Sequence, residues 1–176
     1  FAYSPGTVHN CLITDNLAGG IYCNTGVAVT PVTIQQCTIA GNSSDTGGGV
    51  HVDYAEALIS DCIIWNNTAQ SGAQLALSDG ESVMTVQYSD VQGGESSVYT
   101  DVLTTLNWDD SNLDQDPLFI NANFREYNLS QVVSGQPLDS PCIDAGSDQA
   151  GSICISIPGG PTICMDQLTT RTDLVT

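Results

Sequence analysis

The stretch CLITDN at residues 11–16 returns as CTIAGN at 37–42 and as CIIWNN at 62–67. Cys11, Cys37, Cys62 and then Tyr88 stand 26, 25 and 26 residues apart, and Ile13, Ile39, Ile64 and Asp90 follow at the same steps. Asn16, Asn42 and Asn67 close three of these units, with Gly93 at the fourth. A fixed period of about 25 residues means that one supersecondary unit is stacked on copies of itself, because each unit alone cannot bury its apolar face.

A second motif lies between the first ones: Gly19-Gly20-Ile21-Tyr22-Cys23, then Gly48-Gly49-Val50-His51-Val52, then Gly72-Ala73-Gln74-Leu75. Period-two alternation points Ile21, Val50 and Ala73 inward with Cys23, Val52 and Leu75, and points Tyr22, His51 and Gln74 outward. No unit holds the ten or so residues of 3.6-period pattern that a helical repeat requires. Each unit therefore carries at least two short strands joined by Gly- and Asn-rich corners, and stacking such units gives a parallel β-solenoid with side-chain ladders about 4.8 Å apart. Cys and Ile recur as interior ladder residues, Asn as a corner residue that tolerates left-handed backbone and whose stacked amides bond coil to coil. The longer gap GNSSDTGGG reads as a polar loop pushed outward at its corner.

Ile-x-x-Asn followed by Gly-Gly-Ile or Gly-Gly-Val resembles the repeat of right-handed parallel β-helix proteins of the pectate-lyase-like class, and in particular the FxxN and GGAI repeats of polymorphic outer-membrane-protein type adhesins. The resemblance covers about residues 7–94. Downstream, Asp116-Pro117-Leu118-Phe119, Tyr127-Asn128-Leu129 and Ser140-Pro141-Cys142-Ile143-Asp144-Ala145-Gly146 resemble the DPLF…YxL…SPCIDAG block that ends many large secreted bacterial β-helix proteins. These resemblances imply an all-β, right-handed parallel β-helix of about four coils at a cell surface or outside the cell. They imply no particular activity, because the fold carries enzymes and inert stalks alike.

The coils are expected over residues 1–94. The period is lost past Gly94, and 95–176 reads as an acidic, irregular extension and cap packed on the helix rather than a second domain. Within it, SICISI and PTIC are expected to form a hairpin about Pro158-Gly159-Gly160 that brings Cys154 and Cys164 together, a disulfide being the favoured pairing and Cys142 the competitor. Cys11, Cys37 and Cys62 are expected to be reduced packing thiols. Phe1 follows no signal-peptide pattern and Thr176 no terminal cap, so the chain reads as a processed or excerpted piece, joined to further coils of a longer parent or to other copies of itself.

Charge narrows the partners. Twenty Asp and Glu stand against Arg125 and Arg171, with no Lys, for a formal net charge of -18. Nucleic acid, anionic lipid and polyuronate would be repelled. No apolar run reaches the roughly 20 residues of a membrane span. Seven Cys without a CxxC pair, together with the sequons that begin at Asn42, Asn66 and Asn128, point to an oxidising, extracellular context.

Residues 1–94 contain neither Lys nor Arg, which argues against a polyuronate lyase, since abstracting a proton beside a carboxylate needs a base and charge neutralisation. A glycoside hydrolase needs two carboxyl groups on one face; Asp15, Asp53, Asp61 and Asp79 are available, but no pair falls on one outward row. Asp110, Asn112, Asp114 and Asp116 offer oxygen ligands for an irregular calcium site, with solvated loop acids as the competing reading; Gln115 at the required Gly position rules out an EF-hand. Tyr22, His51 and Gln74 form the candidate glycan-contacting row, an aromatic ring and amides suiting neutral sugars, with ordinary sheet surface as the alternative. The leading expectation is a non-catalytic structural or adhesive segment, able to stack end to end into filaments; the alternative is a carbohydrate-binding or glycan-degrading module.

Overall fold

The computed structural model describes residues 6–26, 31–121, 126–147, 153–156 and 162–165. The first coil holds β1 (Thr7–His9), β2 (Leu12–Thr14) and β3 (Ile21–Cys23); the second holds β4 (Val32–Gln35), β5 (Thr38–Ala40) and β6 (Val50–Asp53). The third holds β7 (Glu56–Ser60), β8 (Ile63–Trp65) and β9 (Leu75–Ser78), and the fourth β10 (Val83–Gln87), β11 (Asp90–Val91) and β12 (Tyr99–Thr100). A fifth begins with β13 (Thr105–Trp108). Like strands pair in parallel into three sheets, β1-β4-β7-β10-β13, β2-β5-β8-β11 and β3-β6-β9-β12. Four full coils and the first strand of a fifth make the expected all-β solenoid, and coil geometry runs past Gly94 as far as the bridge between Asp90 and Leu113.

The register stacks Val8, Ile34, Ile59, Val86 and Trp108 in one interior row, and Ile13, Ile39, Ile64 and Val91 in another. Ile21, Val50 and Leu75 form a third row, with Cys23, Val52 and Leu77 beside it. These rows meet in one core in which Ile34, Ile39, Ile59, Ile64, Leu75 and Leu77 are fully buried. Burying such a side chain contributes roughly 1.5–3 kcal/mol, and the branched shapes fill a narrow prism without voids.

Two stretches of the expected register are corrected. In the third coil Leu75 and Leu77 fill the interior rows and Ala76 takes the outward place between them, so Ala73 and Gln74 precede the strand instead of lying in it. The reason lies at Gly72, which has the positive φ of Gly47 (60° and 61°) and is its counterpart, beside the bridge between Thr46 and Ser71. In the fourth coil Asp90 pairs with Ile63 and Val91 with Ile64, placing Ser89 rather than Tyr88 under Cys62. The corner between Ser78 and Val83 is two residues longer than the one between Asp53 and Glu56, so the step from Cys62 to its counterpart lengthens to 27 residues and ends at Ser89.

The recurring Cys has a backbone role. At this corner the preceding residue, Asn10, Gln36, Asp61 or Tyr88, has φ between 49° and 55°. The next side chain reaches back to the carbonyl two residues earlier: Cys11 to His9 at 3.3 Å, Cys37 to Gln35 and Cys62 to Ser60 at 3.1 Å, Ser89 to Gln87 at 2.9 Å. Ser89 replaces Cys with the same bond, since its small side chain also bears a donor. Cys11, Cys23, Cys37, Cys62 and Cys142 are free thiols; Cys37 and Cys62 are buried as expected, whereas Cys11, expected to pack inside, is exposed in the first coil, which has no coil stacked before it among the described residues.

The recurring Asn forms an amide ladder at the opposite corner. Asn42 Oδ1 accepts from the Asn16 backbone N–H and Nδ2, and Asn67 Oδ1 accepts the same two bonds from Asn42. Asn42 and Asn67 also donate to the Ile13 and Ile39 carbonyls. Gln74 then takes the place a fourth Asn would hold: its Oε1 accepts from Asn67 Nδ2 at 2.8 Å. Gly20 is required where the ladder passes, since a Cβ there would lie 2.6 Å from the Gly49 carbonyl oxygen and 2.8 Å from Ile39 Cγ2. Asn42 is completely buried in this ladder, so the first sequon is not a glycosylation acceptor in the folded chain.

Past the coils, β14 (Phe119–Asn121) and β15 (Glu126–Leu129) pair antiparallel, and the chain then returns along the solenoid. Cys142 Sγ donates to Asp90 Oδ2 at 3.0 Å, and Ser147 donates through its N–H and hydroxyl to the two carboxylate oxygens of Asp61. Cys142 in the SPCIDAG stretch and Ser147 just after it thus clasp the corner acids of two successive coils. Burial raises the Asp90 carboxyl above its usual value, and burial together with Asp90 pushes the Cys142 thiol up to about 12. In the expected hairpin β16 (Ile153–Ser156) pairs antiparallel with β17 (Thr162–Met165), and Cys154 stands opposite Cys164; the side chains of this pair lie outside the described residues, as does its turn.

Replacing Asn67 by Ala strips the Asn42 amide and the Ile39 carbonyl of partners in a buried site, an expected loss of about 2–4 kcal/mol on the scale of orphaned polar groups. Cys62→Ser, which keeps the donor, is expected to cost under about 1 kcal/mol. Urea unfolding followed by far-UV circular dichroism distinguishes the two.

Candidate functional site

Alternation leaves two rows of outward side chains on the sheet of β3, β6, β9 and β12. One row runs Tyr22, His51, Ala76, Tyr99; its neighbour brings Asp53 beside Ser78. The Tyr22 and His51 rings are 5.1 Å apart at 59°. Tyr22 donates its hydroxyl to Asp53 Oδ2, and Asn24 Nδ2 donates to the same carboxylate oxygen at 3.0 Å and to the Tyr22 hydroxyl at 3.1 Å. His51 Nε2 and Ser78 Oγ are 2.6 Å apart. Asp53 Oδ1 is shielded from solvent and has no hydrogen-bond donor.

The structure therefore joins Tyr22 and His51 as expected and removes Gln74 from their row. Gln74 is buried at the amide ladder, with Ala76 in the outward place. Asn24, Asp53 and Ser78 join the site instead. Counting alternate positions outward from Tyr22 and His51 finds Asn24 and Asp53, but Ser78 needed the corrected register.

The electrostatics follow from this network. Donation to Asp53 keeps the Tyr22 phenol above its usual value. Burial lowers His51, against the opposing pull of Asp53 and Asp79. His51 is thus neutral near pH 7 and bonds Ser78 as a neutral ring. A Ser beside a neutral His has the spacing of a nucleophile and base, but none of the hydrogen bonds of His51 runs to a carboxylate, and the neighbouring backbone N–H groups are spent on inter-coil pairing. Among the described residues no hydrogen bond joins His51 to an orienting acid, as a hydrolytic triad would have. What the face offers is a half-buried aromatic pair beside acceptors and an amide, which suits a ligand carrying hydroxyl groups on an apolar ring.

Of the other candidate acids, Asp79 acts on Tyr22 and His51 through space. Asp61 is held by Ser147, Asp79 stands at the corner after β9 with φ 49°, and Asp15 lies beside Gly41 at the far side of the amide ladder. The calcium candidates continue the coil: Asn112 Oδ1 accepts the Ser89 N–H, Asp114 accepts the Gly93 N–H and Asp116 accepts the Leu118 N–H. Asn112 stands under Ser89 in the corner row of the cysteines, so its amide serves inter-coil pairing. Among the described residues no three His, Cys, Asp or Glu side chains converge as a metal ion needs. The described residues likewise contain no helix long and apolar enough to cross a membrane.

Parallel coils, interior ladders and an asparagine corner define the class as a parallel β-solenoid. The family model described as "Right handed beta helix region" matches residues 1–114, and the chain belongs to that family. The SPCIDAG stretch lies beyond the matched residues. No curated protein and no solved structure matches the chain.

His51 supplies a pH test. Because burial depresses its pKa below the ordinary 6.5, the unfolded chain binds more protons as pH falls below that value. The His51 contribution to stability is present above pH 6.5 and is lost as pH falls through the folded pKa. Urea midpoints between pH 7.5 and 5 are expected to fall in the parent and to fall less steeply in His51→Gln.

Proposed function

We propose that this chain is a non-catalytic, adhesive β-helix segment that acts outside the cell or at its surface and holds neutral glycans on its Tyr22–His51 face. The observation that carries this reading is the joining of two exposed-edge rings, Tyr22 and His51, with Asp53 and Asn24 on a flat sheet. Ring faces stack on the apolar side of a sugar, and polar groups at their edge pair its hydroxyls. A net charge of -18 supports neutral over acidic glycans by repulsion. Extracellular placement is supported by the exposed sequon residue Asn128.

Binding to an immobilised panel of neutral glycans tests this. Tyr22→Ala is expected to weaken capture about tenfold or more, the loss of one stacked ring at roughly 1.5 kcal/mol. Equal capture by parent and variant, or capture by neither, would sink the reading. Product release by the parent but not by Asp53→Asn would turn it toward the glycan-degrading alternative.

Self-association is a second reading, favoured by the first coil. Leu12 is 57% and Leu17 90% exposed, beside the unpaired edges of β1, β2 and β3 among the described residues. Further coils of a parent chain or a second copy would cover this end by continuing the ladders. Light scattering across a hundredfold concentration range is expected to show mass growing in the parent and staying monomeric in Leu17→Asp; a parent that remains monomeric throughout argues against stacking of copies.

A further inference from the structure

Where the chain leaves the coils it borders an open cleft, on a different sheet from the Tyr22–His51 face. This cleft of about 580 Å³ lies between β8 with the corner after it, and the segment beyond Asp116. Trp65 forms one wall, Phe119, Leu118 and Leu138 another, with Asn66, Gln92 and Asp116 among them. The volume falls within the range of small-molecule sites, which pair apolar walls with a few placed polar groups.

We propose that this cleft binds one or two rings of a neutral saccharide, with Trp65 as the stacking wall and Gln92 as the chief donor. The amide of Gln92 is oriented by the amide ladder. Its Oε1 accepts from the Asn66 N–H at 2.8 Å and from Gln74 Nε2 at 3.1 Å, so both donors of its own Nε2 remain for a ligand. Asp116 has one carboxylate oxygen engaged by the Leu118 N–H, and the other is available to accept. An indole face, an amide donor and a carboxylate acceptor around one space are the complementary groups of a hydroxylated ring. An anionic ligand is disfavoured by Asp116 itself and a purely apolar one by the amides.

A second observation points to the same place. Leu118, in the cleft wall, has φ 50°, a left-handed backbone that a branched residue adopts at a cost of order 1–3 kcal/mol. The strain turns Leu118 and Phe119 about Asp116, and Phe119 is braced edge-on by Tyr127 at 5.2 Å. The apolar wall is thus fixed before a ligand arrives, which lowers the ordering cost of binding.

The cleft is independent of the Tyr22–His51 face, and one titration separates them. Trp65 is one of two tryptophans, with Trp108 in an interior row, so the emission of the full chain reports on the cleft. The chain is titrated with methyl glycosides of glucose, galactose, mannose and N-acetylglucosamine and with their disaccharides. At least one is expected to give a saturable change in emission that Trp65→Phe abolishes and whose half-point Gln92→Leu raises tenfold or more. Leu138→Asp, a change at a 63% exposed position, is expected to raise it likewise without loss of fold by circular dichroism. No saturable change with any sugar, or a change that persists in Trp65→Phe, overturns the cleft site. Capture on immobilised glycans that is lost in Tyr22→Ala and occurs without an emission change would leave the face and remove the cleft.

Discussion

Everything in this molecule depends on hydrogen bonding from coil to coil. A strand of three or four residues is far too short to hold a fold by itself; here each finds a parallel partner one coil away, so pairing runs along the solenoid axis and not along the chain. The interior rows of Ile, Val and Leu then face one another at the spacing of those bonds. Corners are where such a stack should fail, because the turning backbone leaves donors and acceptors inside. Asn16, Asn42, Asn67 and Gln74 satisfy them at one corner, and Cys11, Cys37, Cys62 and Ser89 at another.

The same economy of corner groups fastens the C-terminal stretch. Asp61 and Asp90 stand at or beside the corner row where the backbone turns left-handed, and their carboxylates accept from Ser147 and Cys142. Two acids that would otherwise be solvated edge groups become attachment points. The cleft beside Trp65 exists because the returning chain is held to the solenoid at those points while Leu118 and Phe119 turn it outward.

Both proposed ligand surfaces draw their precision from the core. Tyr22 and His51 meet because Ile21 pairs with Val50 and Cys23 with Val52 on either side of them, and Gln92 is oriented because it accepts from Asn66 and from the end of the amide ladder.

The repeat of Cys, Ile and Asn determined the solenoid, its period, the burial of Ile39 and Ile64 and the placing of Tyr22 beside His51, because these follow from periodicity that stacking must respect. The amino-acid order did not reveal that Gly72 answers to Gly47, which moved Gln74 from the outward row into the amide ladder, nor that the corner at Asp79 is longer and brings Ser89 under Cys62. Local spacing cannot distinguish a lengthened corner from a shifted strand; inter-coil hydrogen bonds can. The clasp of Asp61 by Ser147, 86 residues apart, and the cleft at Trp65 were likewise decided only by tertiary structure. Such contacts depend on where the chain returns in space, and no periodic signal in the sequence carries that information.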